Sequence, residues 1–184
     1  TVQDWPGRLG YWDVGVPPSG PMDALALRTA NALLGNPVGA AGLEITVAGP
    51  TLRLRCDLQL VVTGAPIELT LDDVPVPMWS VIDARAGQTL RLGRIQDGGC
   101  RAYLAVAGGI AVPAYLGSGS TFTLGQFGGH GGRTLRAGDV LHVGTQAPQR
   151  RITPAEVARL RPAYGHEWEI AVLVGPHAAP DFFT

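Results

Sequence analysis

The segment from Tyr115 to Arg133 is the part of the sequence whose composition best suits it to bind a small ligand. It is rich in glycine, which lets the backbone approach a ligand closely and turn its N–H groups toward an anion. Ser118, Ser120 and Thr121 can hydrogen-bond to carboxylate, amide or phosphate oxygens, and Arg133 can form a charge-assisted pair. The alternative interpretation, which the composition favours equally, is a flexible surface loop.

The segment before the first helix is a second candidate. The sequence GVPPSGPMD, residues 15–23, is a turn-rich entry followed at once by an acid. Ser19 or Gly20 can cap the helix, and Pro21 fits its first turn. Such a helix start presents free backbone N–H groups that suit an anion, and Asp23 can act as a general base or accept a hydrogen bond from a substrate N–H. The needs of the helix alone would also explain each of these residues.

The opening run TVQDWPGRLG holds a third group of polar residues. Gln3, Asp4 and Arg8 lie close together in it and can contribute to a binding site. A simple ion pair between Asp4 and Arg8 is the structural alternative, and such pairs contribute little when exposed.

Three further polar residues are placed in strands that are otherwise apolar. Glu44 must pair with an arginine or carry a raised pKa suited to proton transfer, because an isolated buried acid is costly. Arg101 and Tyr103 share one face of their strand, since side chains alternate along a strand. These residues are therefore candidates for either structural pairing or binding.

Several classes of site are excluded by composition. All fourteen basic residues are arginine, so the chain has no phosphate-loop lysine, no Schiff-base lysine and no lysine to carry biotin. A net charge of −1 argues against strong binding of nucleic acid. No histidine pair has metal-ligand spacing, so we expect no metal, and His130 lacks the nucleophile elbow that a serine hydrolase would need beside it.

The spacing of apolar residues predicts a mainly β fold. A helix is expected over 21–34, and strong alternation over 51–64 indicates a strand or hairpin. Strands recur about every 8–12 residues between glycine-rich turns, which is typical of a barrel or sandwich. A second helix is expected over 152–164, with an alternating strand over 168–174 after it.

The two cysteines and the absence of apolar spans indicate a cytoplasmic protein. Cys56 and Cys100 are expected to be buried free thiols, with a disulfide as the alternative. No apolar run reaches the length that would span a bilayer, and no signal peptide is visible at the start of the sequence.

Several motifs, taken together and in order, resemble the allophanate hydrolase subunit 2 family. Members of that family include the C subunit of 5-oxoprolinase, the antagonist of a kinase inhibitor, and half of the carboxyltransferase domain of urea carboxylase. The motifs that carry the resemblance are TVQDWPGRLGY at 1–11, GVPPSGPMD at 15–23, ANALLGN at 30–36, LEIT at 43–46, GPTL at 49–52, RAYLAVAGGI at 101–110, LGSGST at 116–121 and GRTLRAGDVL at 132–141.

The resemblance implies a fold, a function and partners. It implies a cyclophilin-like β-barrel over 1–150, followed over 151–184 by a helical connector and the first strand of a second, similar barrel. It implies a subunit of an ATP-dependent hydrolase complex acting on a small amide or lactam, most like the C subunit of 5-oxoprolinase or allophanate hydrolase subunit 2. Its partner would resemble allophanate hydrolase subunit 1 or the B subunit of 5-oxoprolinase. One alternative is a carboxyltransferase component that uses biotin carried on another chain, and another is a regulatory module that only binds its partner. No nucleic acid or membrane partner is implied.

The same motifs contain the candidate site residues. The hypothesis is that the helix start and the segment 115–133, called the serine-glycine segment below, converge at one rim of the barrel. There Asp23 would accept an amide proton, and Arg133 and Ser120 would stabilise a developing anion. The residues expected to bind substrate are Gln3, Arg8, Ser19, Gly20, Arg101, Tyr103, Ser118, Thr121, Gly128 and Gly129.

Overall fold

The computed structural model of the chain describes residues 1–96, 98–145, 151–167 and 169–173. It is mainly β, with two α-helices and one short 3-10 helix (Trp12–Val14). The helices are α1 (Ala24–Leu34) and α2 (Pro154–Leu160). The strands are β1 (Val2–Gln3), β2 (Gly42–Thr46), β3 (Thr51–Arg53), β4 (Leu58–Gly64), β5 (Ile67–Leu71), β6 (Val74–Pro75), β7 (Ile82–Ala84), β8 (Thr89–Ile95), β9 (Arg101–Val106), β10 (Ile110–Ala111) and β11 (His142–Val143).

The strands form three antiparallel sheets. The largest has the order β1-β2-β9-β4-β7, the second has the order β3-β8-β5-β6, and β10 pairs with β11. Ala48 forms isolated bridges to Thr46 and Arg94 and so connects the two larger sheets. The expected closed barrel is not found among the described strands, because the edge strands β1 and β7 each pair on one side only.

The five-stranded sheet is buried on both faces. Leu60 and Val62 of β4 point into the core between the two larger sheets, whereas Val61 points to the other face, which α1 covers. On β9, Leu104 joins the first cluster and Tyr103 joins the second. Burial on both faces explains why β9 reads as a continuous apolar run rather than an alternating one.

Helix α1 begins three residues later than the sequence indicates. Ser19 and Gly20 do not cap it, because both have left-handed backbone conformations, with φ of 56° and 86°. Asp23 is the N-cap, and its Oδ1 accepts a hydrogen bond from the backbone N–H of Ala26 at 3.0 Å. Gly35 ends the helix in the left-handed conformation, as the sequence predicts.

Helix α2 packs back onto α1. It begins with a capping box formed by Thr153 and Glu156, and Val157 is buried in the cluster that includes α1. The backbone N–H of Ile152 donates to the carbonyl of Ala32 at 3.1 Å. The division of the chain at residue 150 stays a prediction, although the described residues of the connector are docked on the first unit.

Several local expectations are corrected by the structure. Cys56 and Cys100 are free but exposed, because Cys56 lies between β3 and β4 and Cys100 lies just before β9. Residues 169–173 form no strand, and the side chains of Ile170 and Val172 are exposed, so the start of a second barrel is not confirmed. The other two positions expected in that strand, 168 and 174, lie outside the described residues. No helix in the described part of the chain is both long enough and apolar enough to cross a membrane.

Candidate functional site

The opening run binds the serine-glycine segment through Asp4. Its Oδ1 accepts hydrogen bonds from the hydroxyls of Ser118 and Ser120, each at 2.6 Å, and its Oδ2 accepts one from the backbone N–H of Gly119 at 2.6 Å. Ser118 and Ser120 are buried. This part of the segment is therefore not the flexible surface loop that composition allowed. Within the described residues no ion pair joins Asp4 to Arg8.

Arg8 is completely buried and holds the same segment from the other side. Its Nε donates to the carbonyl of Tyr115 at 2.9 Å, and its Nη2 donates to the carbonyl of Ser120 at 2.8 Å. Its guanidinium carbon lies 4.9 Å from the centre of the Phe127 ring. Carbonyl dipoles and the ring face stabilise this buried charge, since no described carboxylate forms an ion pair with it.

Gln3 connects the serine-glycine segment to the lead-in of α1. Its Oε1 accepts from the backbone N–H of Gly20 at 3.1 Å, and its Nε2 donates to the carbonyl of Thr121 at 3.3 Å. The Thr121 hydroxyl in turn donates to the carbonyl of Val2 at 2.8 Å. The Ser19 hydroxyl is buried without a hydrogen-bond partner among the described residues. The two segments that the hypothesis brings together thus contact each other through the opening run.

Asp23 belongs to a second hydrogen-bond network, at the sheet face that α1 covers. Glu44 lies opposite Tyr103 in the register of β2 and β9, and its Oε2 accepts from the Tyr103 hydroxyl at 2.8 Å and from the backbone N–H of Met22 at 2.8 Å. The Tyr103 hydroxyl accepts from the backbone N–H of Asp23 at 2.7 Å, and the Tyr164 hydroxyl donates to Asp23 Oδ2 at 3.3 Å. Burial raises the pKa of Tyr103 far above its usual value, because the phenolate would be desolvated.

Arg101 lies at the edge of this hydrogen-bond network, beside Glu44. Its Nε is 3.8 Å from Glu44 Oε1 and is buried without a hydrogen bond to any described residue, and its Nη1 donates to the carbonyl of Cys100 at 3.2 Å. The sequence left two roles open for Glu44, pairing with an arginine and proton transfer. In the structure Glu44 lies beside Arg101, as expected for structural pairing.

Arg133 forms a forked ion pair with Asp139. Its Nη1 and Nη2 donate to the two carboxylate oxygens at 2.7 and 2.8 Å, and the Nε2 of His130 lies 3.4 Å from Asp139 Oδ1. The hydrogen bonds from Arg133 are the main reason why the pKa of Asp139 lies well below its usual range. The hydrogen bond from the backbone N–H of Arg136 lowers it further. Arg133 is therefore already paired with Asp139, and its role in binding an anion stays a prediction.

An open depression of about 370 Å³ lies beside this pair. It is lined by polar side chains and by glycine backbone, from Thr123, Gln126, Gly131, Gly132, Arg133, Thr134 and Arg136. No hydrogen bond or ion pair in the described part of the chain joins Asp23 to residues 117–133. The candidate residues therefore separate into three groups: a network around Asp4 and Arg8, a second hydrogen-bond network around Glu44 and Asp23, and the depression beside Arg133.

Several glycines of the segment pack tightly against neighbouring backbone and side chains. Phe122 and Phe127 pair as a short hairpin, and their rings meet edge to face at 5.3 Å. A Cβ at Gly128 would overlap the Ser120 carbonyl, and one at Gly129 would overlap the Thr121 hydroxyl. Gly128 and Gly129 thus permit close packing of the loop on itself.

The described residues do not fit the phosphates of ATP. The backbone N–H groups of Gly129 and Gly132 donate to the carbonyls of Gly119 and Gly128, and the chain offers no lysine. Biotin cannot be attached to a chain without lysine. Across the described ranges, no group of three His, Cys, Asp or Glu residues could hold a metal ion.

Comparison with known proteins decides the family. Residues 14–184 match the family described as "Carboxyltransferase domain, subdomain A and B". The chain belongs to this family. Its membership confirms the resemblance drawn from the motifs, since a urea carboxylase and the C subunit of a 5-oxoprolinase are among its relatives.

Two kinds of relative share substantial identity with this carboxyltransferase-family chain. It is 44% identical to the urea amidolyase of Saccharomyces cerevisiae, over 100% of this chain and 10% of the relative, and 45% identical to the C subunit of 5-oxoprolinase from Escherichia coli, over 78% and 46%. The crystal structure of the Kluyveromyces lactis urea carboxylase superposes with a TM-score of 0.82 at 42% identity, covering 90% of this chain and 15% of that one. The chain thus spans about a tenth of the urea amidolyase.

Sequence reasoning missed three residues of these groups. Asp139 and Arg136 fall in the motif at 132–141, but neither was named as a candidate. Tyr164 falls at the end of the helix expected over 152–164 and was not named as a candidate either. The turn sequence Arg-Ala-Gly-Asp was the available signal for Asp139, because an acid after glycine commonly accepts local backbone N–H groups.

Proposed function

We propose that this chain is one subdomain of an enzyme that transfers a carboxyl group to a small amide such as urea. The observation that carries the proposal is the 44% identity to a urea amidolyase across the whole of this chain, within a family described as a carboxyltransferase domain. Because the chain spans about 10% of that relative, the rest of the activity belongs to other parts of the enzyme.

Carboxyl transfer to an amide needs a proton acceptor and donors for the carbonyl oxygen. A bond forms between the amide nitrogen and the carboxyl carbon, the bond from that carbon to the donor nitrogen breaks, and the amide proton ends on the donor nitrogen. Carboxybiotin supplies the activated carboxyl group when bound, from a lysine on another part of the enzyme. Residues of this chain bind and orient the amide.

Asp23 is the proposed acceptor for the amide N–H. Its two hydrogen bonds, from Ala26 and Tyr164, leave lone pairs free on a carboxylate that has about four. Arg133 is left out of this step, because it is paired with Asp139 and no hydrogen bond among the described residues joins Asp23 to its segment. Ser120 is proposed as a positioning residue and not as a group that touches substrate, because its hydroxyl is buried against Asp4.

ATP use, the partner and the compartment extend this proposal. ATP would be bound elsewhere in the enzyme, since the sequence contains no phosphate-loop lysine. The proposed partner, fused or separate, resembles allophanate hydrolase subunit 1 or the B subunit of 5-oxoprolinase, and the cytoplasm is the proposed compartment. The finer fold, a cyclophilin-like barrel completed by a second unit beyond residue 150, also remains a proposal.

A lactam-opening hydrolase is the second candidate. The 43–45% identity to two 5-oxoprolinase C subunits favours it, and the chain covers a larger share of these relatives, 45–46%, than of the urea amidolyases. In that enzyme the same residues would hold a lactam amide, and no carboxybiotin would be needed.

The test is substrate-dependent ADP release by the full natural protein that contains this chain, with its partner. We expect urea to stimulate ADP release and avidin to abolish that stimulation, because avidin sequesters biotin. Stimulation by 5-oxoproline that resists avidin would replace the proposal with the second candidate. No stimulation by either compound would contradict both and favour a regulatory module.

Asp23→Asn tests the residue assignment. Asparagine caps helices about as well as aspartate, so the fold should be kept, whereas the loss of a proton acceptor should lower kcat by about 100-fold or more. Asp13→Asn is the matched control, because Asp13 is exposed in the short 3-10 helix. Equal kcat in the two variants would remove Asp23 from the proposed chemistry.

A further inference from the structure

We propose that the depression beside Arg133 and Asp139 is a binding site for a small free carboxylate, with Arg136 as its principal charged contact. The site goes beyond the proposed function, since it needs neither carboxyl transfer nor a particular amide. It rests on local charge, on unused hydrogen-bond donors and on the backbone that shapes the depression.

Charge in the depression is unbalanced toward the positive. Asp139 is the carboxylate beside it, and both of its oxygens bind Arg133. Asp139 also accepts from the backbone N–H of Arg136, but the Arg136 guanidinium has no ion pair or hydrogen bond with any described residue. One positive charge therefore remains uncompensated where the depression opens.

Several hydrogen-bond donors there are unused. Arg133 donates hydrogen bonds to Asp139 and to the carbonyl of Thr134. Its Nε and one N–H of Nη2 have no partner among the described residues. The backbone N–H of Gly131 likewise makes no hydrogen bond in the described part of the structure. A ligand that supplies several acceptor oxygens and a negative charge would satisfy these groups.

The backbone that lines the depression is held in a costly conformation. Gln126 has a φ of 57°, which is left-handed for a residue with a side chain. Gly132 packs directly on the Gln126 carbonyl group, where any Cβ would overlap it. Glycine would adopt this conformation without strain, whereas the glutamine places an amide at the depression, where it is available to a ligand.

The shape and size of the site favour a small carboxylate. Guanidinium forks match the two in-plane oxygens of a carboxylate. The open depression of about 370 Å³ is large enough to admit a small carboxylate. The ligand class is therefore a small organic acid or bicarbonate.

The experiment is a ¹³C NMR titration of labelled acetate into the full natural protein, at constant ionic strength kept with chloride. We expect Arg136→Gln to weaken acetate binding by at least about tenfold, because one charge-assisted contact is lost. Arg94→Gln is the matched control, since Arg94 is also exposed and also unpaired among the described residues, and it should leave the affinity unchanged.

Two further measurements keep the proposal falsifiable. Gln126→Gly should raise thermal stability by relieving the left-handed backbone, yet weaken acetate binding by removing the amide. Acetamide, a neutral molecule of the same shape, should bind at least about tenfold more weakly than acetate. Equal binding of acetate and acetamide, equal affinity in Arg136→Gln and wild type, or no acetate binding to the wild type would each overturn the proposal.

Discussion

Ser120 and Asp4 hold each other through two hydrogen bonds across 116 residues of sequence. The Ser120 hydroxyl donates to Asp4 Oδ1 at 2.6 Å and accepts from the Asp4 backbone N–H at 2.9 Å. The pair fixes the opening run against the segment that leads to the depression beside Arg133. A side chain so buried and so fully bonded positions other groups and cannot reach a substrate.

Replacing Ser120 by alanine should loosen this contact. The half-buried Asp4 carboxylate would lose one of its donors, which costs about 1 kcal/mol or more. We expect faster hydrogen–deuterium exchange in peptides covering residues 1–8 and 115–121. Ser80→Ala is the control, because the Ser80 hydroxyl makes one exposed hydrogen bond to Pro77 and should change exchange little. If Ser120→Ala instead abolished turnover without changing exchange, the assignment of Ser120 as a positioning residue would be wrong.

Replacing Arg8 by lysine should be strongly destabilising although the charge is kept. Lysine cannot form the fork that reaches the carbonyls of Tyr115 and Ser120 and cannot stack on Phe127 in the same way. Each buried carbonyl left without its donor costs about 1–3 kcal/mol. Arg28→Lys offers the comparison, because Arg28 stacks on Trp5 at 4.3 Å but is exposed. Thermal unfolding of the two variants measures the difference, and similar melting temperatures would contradict this view of Arg8.

Stability should decline at alkaline pH because of Tyr103. Its folded-state pKa is raised by burial, so its contribution is fully present below the ordinary pKa of about 10 and is lost as pH rises above that value. One such group gives a limiting slope of about 1.4 kcal/mol per pH unit. Denaturant unfolding between pH 8 and 11 measures it, and Tyr103→Phe should reduce the slope. The raised pKa of Tyr164, also due to burial, would leave part of the slope in that variant. A flat profile in the wild type would refute the prediction.

Truncating Val157 should loosen the packing of α2 on α1. Val157 is 5% exposed in the cluster beneath both helices, and removing two buried carbon atoms costs about 1.6 kcal/mol before any cavity is counted. Hydrogen–deuterium exchange of α1 peptides should therefore accelerate in Val157→Ala. Val172→Ala should not change it, because that side chain is 82% exposed. Unchanged exchange in Val157→Ala would mean that the connector moves independently of the first unit.

Local patterns in the sequence predicted most elements but not their boundaries. Alternation over 51–64 indicated a strand or hairpin, and the structure has two strands there, β3 and β4, which lie in different sheets and do not pair with each other. The start of α1 was misplaced because proline and serine suit a helix start in general, whereas the left-handed backbone of Ser19 and Gly20 delays this helix to Ala24. Cys56 and Cys100 were predicted to be buried because the residues around them alternate as in a strand. In the structure neither cysteine lies within a strand, and both are exposed.

The sequence by itself determined the family, the mainly β class, the absence of lysine chemistry and the residue types of the candidate segments, because motifs, periodicity and composition are local properties. Only the tertiary structure decided which side chains meet. Asp4 turned out to bind Ser120 instead of Arg8, Arg133 turned out to pair with Asp139, and the Arg136 guanidinium was left without a partner among the described residues. These outcomes depend on contacts between distant segments and on which donors each contact uses up, and no spacing along the chain encodes them directly.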